Sequence, residues 1–483
     1  MRRALPLILI LICITAAIVT YSPHIAFPLP FHTDEWTHIG FAVSMNQTGH
    51  VVHQWPYFKE SPEAGTDLEF GFHMLVLGLS YFSQIRPEHI AVIMPAVFSV
   101  ITVISTFFLV RYLFDEFSAI FATLFVFTIK TNVTTLGPMF FVPVTACIPL
   151  LPVLIYLILD SFERSDINLF VLTTFFFAGT TLVHPTTTLM LLIPFGIYLL
   201  LRYRLLLKNK KIVALAILAL IAIFMFFTRN FLTDPAQLFE FIENRFITPG
   251  TDPNNIVIHF YLPVFIGIPL TALGMLGFYR AFETKKKQAL ILPLLLVFNV
   301  ILLFMFYNNN ISYIVPYRRA VVYAALFMSI LAGEGIAYPL LMIFRRLPTH
   351  RIIAVFLIAI IVLSFLGYQV YTTTKYTKLF YKDIGPGDYE KIKLLEGIAD
   401  NSVIQCMPEV CHTVYPVTGK HTVSSLIGWE DRQKDSKLFF ESGCDFRQGL
   451  IKKYGITHVY YNLPINCTFL ENIAPNIYKV NSL

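Results

Sequence analysis

Eleven apolar runs decide what this chain of 483 residues can fold into. They fall at 4–21, 89–110, 117–134, 137–159, 167–183, 186–201, 211–228, 257–279, 288–307, 320–343 and 352–371. Roughly 20 apolar residues in a helix cross about 30 Å of hydrocarbon, and in lipid only a helix or a closed barrel satisfies its own backbone polar groups. The weakest runs are 117–134, interrupted by Lys130, and 167–183. Only 14% of the residues are charged, against about a quarter in soluble domains. Beyond 371 the runs stop, and the remainder carries charge, Gly, Pro and four of the six cysteines. The expected architecture is an α-helical polytopic membrane protein of about 11 spans over residues 1–375, followed by a small extracytoplasmic α/β domain over 376–483.

Basic residues set the orientation. With the N-terminus cytoplasmic, the inner connections carry Arg111, Arg164, a group from Arg202 to Lys211, Arg280 with Lys285 to Lys287, and Arg345, Arg346 and Arg351. The outer connections are longer and poorer in Lys and Arg, which is the positive-inside asymmetry. An odd number of spans then puts the C-terminal domain outside, in a multi-pass protein of the cell membrane. Asn-x-Ser/Thr sites at Asn46, Asn132, Asn310 and Asn466 all fall on that outer side. Cys406, Cys411, Cys444 and Cys467 share the tail, where an oxidising exterior favours two disulfides in one of three pairings. The rival is a metal site of Cys406, Cys411 and His412. The first run follows Arg2 and Arg3, and its apolar core is longer than that of a signal peptide, so it reads as an uncleaved span. The net charge of +6 reflects the cytoplasmic loops and implies no nucleic-acid partner.

The first outer loop, 22–88, is the longest such connection, and loops of this length are usually functional. It opens with Phe31-His32-Thr33-Asp34-Glu35-Trp36-Thr37-His38, two adjacent carboxylates among histidines just beyond the first span. A solvated loop is the bland reading of an acidic pair. Ionisable groups at the surface of a mostly lipid-facing protein point instead to chemistry on a lipid-borne substrate. Adjacent carboxylates also repel, which raises the proton affinity of one of them. Further on, Asp67 to Phe82 is too short to span and too apolar for water, so it reads as an interfacial helix. His32, His38, His50, His53 and His73 share the loop with Asp34, Glu60, Glu63, Asp67 and Glu69. These ligand types suit a divalent metal ion, although no fixed ligand spacing accompanies them. No other cofactor is indicated.

The acidic pair, the interfacial segment before the second span and the span count together resemble the GT-C superfamily of integral-membrane glycosyltransferases. That group includes dolichyl-phosphate-mannose protein mannosyltransferases, aminoarabinose transferases and oligosaccharyltransferase catalytic subunits. An outer domain opening with a helix pattern from Asp388 and a strand pattern from Ser402 to Cys406 fits the same plan. The resemblance implies transfer of a sugar from a polyprenyl-phosphate donor to a protein, glycan or lipid acceptor on the outer face, amid membrane lipids. It implies that Asp34 is the general base on the acceptor hydroxyl, with Glu35 as second candidate. A departing phosphate needs cations or donors. Tyr317-Arg318-Arg319 at the outer start of the tenth span fits that need, the alternative being ordinary snorkelling to head groups. Arg229 and Arg245 are weaker candidates. His184, before Pro185, and His73 are further substrate-binding candidates, His184 being at least as well suited to capping a tight hairpin.

The chain departs from oligosaccharyltransferases where they carry Trp-Trp-Asp-Tyr-Gly: here Cys406-Met407-Pro408-Glu409-Val410-Cys411 stands, and Gly428-Trp429-Glu430-Asp431 does not match. A monosaccharide is therefore the expected cargo. The tail also shows a helix pattern ending at Gly455 and a strand pattern over 456–461. The alternatives are a transporter or lipid flippase, disfavoured by the apolar span centres, and a non-catalytic scaffold of the same fold.

Overall fold

A computed structural model describes residues 5–52, 54–60, 69–129, 137–228, 247–249, 266–346, 382–427 and 429–481, with isolated positions between 360 and 371. In chain order its helices are α1 (Leu5–Ala26), α2 (Thr33–Thr48), α3 (Phe70–Ser83), α4 (Pro87–Leu113), α5 (Glu116–Val126), α6 (Pro143–Cys147), α7 (Leu150–Arg164), α8 (Ile167–Val183) and α9 (Pro185–Leu201). There follow α10 (Tyr203–Lys208), α11 (Lys210–Thr228), α12 (Ile268–Glu283), α13 (Ile291–Asn309), α14 (Tyr317–Arg346), α15 (Pro386–Lys393), α16 (Pro408–Thr418), α17 (Glu430–Glu441) and α18 (Cys444–Tyr454). The chain forms two compact units. The first comprises Met1–Pro23, Pro95–Met139 and Pro143–Leu379; the second comprises His24–Met94, Phe140–Val142 and Phe380–Leu483.

The first unit is the helical membrane body. Among the described residues, five helical segments are long and apolar enough to cross a bilayer: α1, α4, Pro143–Arg164, Lys287–Asn309 and Tyr317–Ile343. Together with the shorter apolar helices α8 and α9 they make this a multi-pass membrane protein. The run at 257–279 is described only from Ile266 onward, and 352–371 lies almost wholly outside the described residues, as do Lys130 and Asn132. The run at 117–134 departs from expectation. It forms only the 11-residue helix α5, roughly 16 Å long and too short to cross by itself. The Asp115 carboxylate starts this helix by accepting the Phe117 and Ser118 N–H groups.

Residues 320–337 of α14 are entirely buried. Small residues let the neighbouring helix α12 approach its backbone. A Cβ on Gly277 would lie 1.8 Å from the Leu331 carbonyl oxygen, and one on Gly335 would lie 1.8 Å from that of Leu273. In a bilayer, where lipid tails are as apolar as Leu, such close backbone packing is a main source of helix association.

The second unit gathers much of the first outer loop with the C-terminal domain. The interfacial run becomes α3, whose Met74, Tyr81 and Phe82 are left exposed. The tail builds a mixed sheet in the order β4-β3-β5-β7-β6, from β3 (Val403–Gln405), β4 (His421–Thr422), β5 (His458–Tyr460), β6 (Leu470–Ala474) and β7 (Ile477–Val480). (A short pair, β1 at Ile247–Pro249 and β2 at Ile311–Tyr313, belongs to the first unit.) β3 is parallel to β4 and β5, while β7 is antiparallel to β5 and β6. Val403, Val459, Phe439, Ile451 and Tyr478 form its apolar core with helices α17 and α18. α18 ends at Gly455, whose φ of 63° is the left-handed geometry that suits a helix C-cap. Two disulfides, Cys406–Cys411 and Cys444–Cys467, staple the domain. They overturn the rival metal site, because both of its cysteines are consumed in one bond.

Candidate active site

The acidic pair sits at the first turn of α2, and its two members have opposite surroundings. His32 is the N-cap: its Nδ1 accepts the Asp34 N–H at 3.0 Å. That contact fixes Nδ1 as the unprotonated nitrogen, so its 3.9 Å approach to Asp34 Oδ1 is not an ion pair. Glu35 completes the capping box. Its Oε2 accepts the Phe31 and His32 N–H groups at 2.8 and 3.1 Å, and its Oε1 accepts the Phe141 N–H at 2.8 Å. Glu35 is fully buried. Burial pushes its carboxyl up to about 8, the three N–H donors pull the other way, and the neighbouring Asp34 charge is the smallest contributor. Glu35 therefore ties the chain before α2 to the segment at Phe141, with both oxygens engaged by backbone N–H groups. Asp34, by contrast, keeps 37% of its side chain exposed.

Around Asp34 stand two groups that the sequence did not single out for this chemistry. Asp383 lies two residues ahead of Gly385, the N-cap of α15, and its Oδ1 accepts the Thr33 hydroxyl at 3.1 Å. Its Oδ2 is buried without a partner among the described residues. Burial first, then the charges of Glu409 and Asp34, push its carboxyl up to about 7 against the Thr33 hydrogen bond. His412, on α16, donates from Nε2 to the Thr33 carbonyl at 3.0 Å, and its Nε2 also lies 3.1 Å from the Thr37 hydroxyl. Its ring stacks on Tyr57 at 4.9 Å. Full burial holds the imidazole down to about 4, so it is neutral at physiological pH. No motif marks Asp383; its only sequence signal is a charged residue beyond the last apolar run, just before a Gly-Pro-Gly segment.

His73 is buried on α3 and reaches α2 through a 3.0 Å contact between its Nε2 and His38 Nδ1, with its ring stacked on Phe41 at 5.2 Å. His38 is four residues after Asp34, so the two share a face of α2. His50 is spent on the Thr48 carbonyl; His53, Glu63 and Asp67 lie outside the described residues. Among the described residues, no three His, Cys, Asp or Glu side chains gather as a metal-binding set. Glu35 is occupied by backbone N–H groups, and His38 and His73 contact each other.

The remaining candidates belong to the first unit. Tyr317, Arg318 and Arg319 form the first turn of α14. Tyr317 stacks on Phe306 at 4.0 Å and accepts the Arg318 Nε–H at 3.0 Å. His184 caps α9 and is buried, with Nδ1 2.6 Å from the Thr187 hydroxyl and 3.4 Å from the Tyr323 hydroxyl. Arg319 is near enough for its charge to bear on that imidazole. His184, Tyr323 and Arg319 are thus neighbours. Arg229 and Arg245 lie outside the described residues.

This fold is that of the GT-C membrane glycosyltransferases. The chain is similar to ArnT from Cupriavidus metallidurans bound to undecaprenyl phosphate, with 12% identity, a TM-score of 0.58 and 97% of each chain covered. It is also similar to the oligosaccharyltransferase AglB from Archaeoglobus fulgidus in complex with an inhibitory peptide and a dolichol-phosphate, with 13% identity, a TM-score of 0.56, and 93% of this chain and 69% of that one covered. The same archaeal enzyme with zinc and sulfate gives a TM-score of 0.55 at 13% identity, covering 93% and 67%. By sequence the chain belongs to a family described as a family of unknown function (DUF6541), whose profile matches residues 73–400. No curated protein matches the sequence.

Proposed function

We propose that this protein is a glycosyltransferase that moves a sugar from a polyprenyl-phosphate donor to an acceptor hydroxyl at the outer membrane surface. One observation carries the reading: within an acidic pair, Glu35 is locked into the fold while Asp34 is presented half-exposed on a rigid helix start. A positioned carboxylate of this kind suits a general base. The acceptor hydroxyl gives its proton to Asp34 as its oxygen bonds to the sugar carbon. The bond from that carbon to the phosphate oxygen breaks, and the electron pair leaves with polyprenyl phosphate. Arg318 and Arg319, at the N-terminus of α14, supply guanidinium forks and helix-end N–H groups suited to that phosphate. Tyr317 and His184 hold this cationic end in place, and Glu35, His32 and His73 position α2.

The same reading puts the N-terminus in the cytoplasm and the tail outside, with α3 at the interface through Met74, Tyr81 and Phe82. The similar structures in complex with polyprenyl phosphates share only the fold with this chain, yet their ligands are of the class that the proposed reaction releases. The test is transfer of labelled sugar from a polyprenyl-phosphate donor into host-membrane acceptors. Asp34→Asn keeps the shape and removes the base, so transfer falls about 10²–10⁴-fold while insertion and donor binding persist. An active parent whose Asp34→Asn variant transfers equally well removes the base from the mechanism.

A further inference from the structure

The second unit holds a second polar site that the transfer chemistry does not use. Tyr57, stacked on His412, is followed by Phe58, whose ring stacks on Trp429 at 4.9 Å. The guanidinium of Arg432 lies over Phe58, Trp429 and Tyr454 at 4.8, 4.6 and 5.2 Å from the ring centroids. Its Nη2 donates to the Glu60 carbonyl at 3.4 Å, and no carboxylate among the described residues forms an ion pair with it. Three aromatic faces fix this cation where burial lowers its affinity for protons. Beside it is a cavity of about 270 Å³, also lined by Lys59, Glu60, Lys452 and Lys453. Among the described residues, four cations thus face one space that a single lining carboxylate offsets. Lys453 is further engaged by Asp435 at 2.7 Å.

Scattered surface lysines are ordinarily just solvated. Here a half-buried arginine without a carboxylate partner stands in a concave site with lysines from two separate segments. A guanidinium fork with flanking ammonium groups matches an oxyanion better than any neutral polar group.

We propose that this pocket binds a carboxylate or phosphate ester, a role separate from the transfer chemistry at Asp34. The experiment is calorimetric titration of the full-length protein in detergent with glucuronate, glucose 6-phosphate and glucose. At least one anion should bind saturably, more weakly as salt rises, and glucose should not bind. Which anion binds distinguishes carboxylate from phosphate. Lys59→Gln with Lys452→Gln changes two exposed side chains that no folded-state bond requires, and should weaken binding about tenfold. Arg432→Gln should weaken it further. Asp34→Asn should bind as the parent does, so a parent inactive in transfer leaves the anion result standing. Failure of both anions to bind, equal binding of glucose, or unchanged affinity in the double lysine variant would overturn the proposal.

Discussion

Asp34 and Glu35 are indistinguishable as adjacent letters, and the structure separates them by burial. Their variants should therefore fail differently. Glu35→Gln keeps one acceptor oxygen but turns an N–H toward a backbone N–H that Glu35 now accepts, costing about 1–3 kcal/mol. It should lower Tm and yield, whereas Asp34→Asn should leave both near the parent's. Equal Tm for Glu35→Gln and the parent would dismiss that tie. Asp383 makes a pH prediction. Its folded carboxyl is raised to about 7 from 3.8, so the native state binds the extra proton between those values. That contribution to stability is full below about 4 and is lost as pH rises through 7. Asp383→Asn should match the parent's Tm near pH 4, exceed it at pH 8, and give a shallower profile between. Coincident profiles would contradict it. For Arg318 and Arg319, joint replacement by Lys keeps charge but loses the planar fork, and should weaken donor binding. Full retained affinity would favour simple anchoring of the span. Asp383 was illegible beforehand because Thr33, its partner, is 350 residues away in sequence.

Elements were read well where local chemistry defines them. α3 and α18 are bounded by apolar periodicity and, for α18, by Gly455. The two disulfides follow from compartment and count, although the choice among three pairings needed the fold. Helix α5 was misread because hydrophobicity continues past Val126 while the helix does not. Nor does the sequence announce the close approach of α12 and α14, since glycine pairs are common in spans. Gly335→Ala tests it: the added methyl meets the Leu273 carbonyl, and such overpacking typically costs about 1–3 kcal/mol. Thermal unfolding in detergent should show a lower Tm, whereas Gly78→Ala, with open space around its Cβ position, should not. Equal effects would argue against tight packing there.

At the scale of the molecule, identities of 12–13% to the similar structures leave the fold as the shared property. Composition and the succession of apolar runs made a helical membrane body legible, because bilayer physics restricts the alternatives so sharply. Orientation is open to a direct check. A membrane-impermeant thiol reagent on intact cells should label Lys437→Cys in the tail, an exposed position next to the buried Ser436, and should spare Lys285→Cys. The reverse pattern would invert the topology. The decisive question is whether a lipid-phosphate sugar is handled beside Asp34. Photo-crosslinking with a diazirine-bearing polyprenyl-phosphate sugar should give adducts on the peptide containing Asp34, abolished by excess unlabelled polyprenyl phosphate; adducts confined to the Arg202–Lys211 region, or indifferent to competitor, would exclude a site at Asp34.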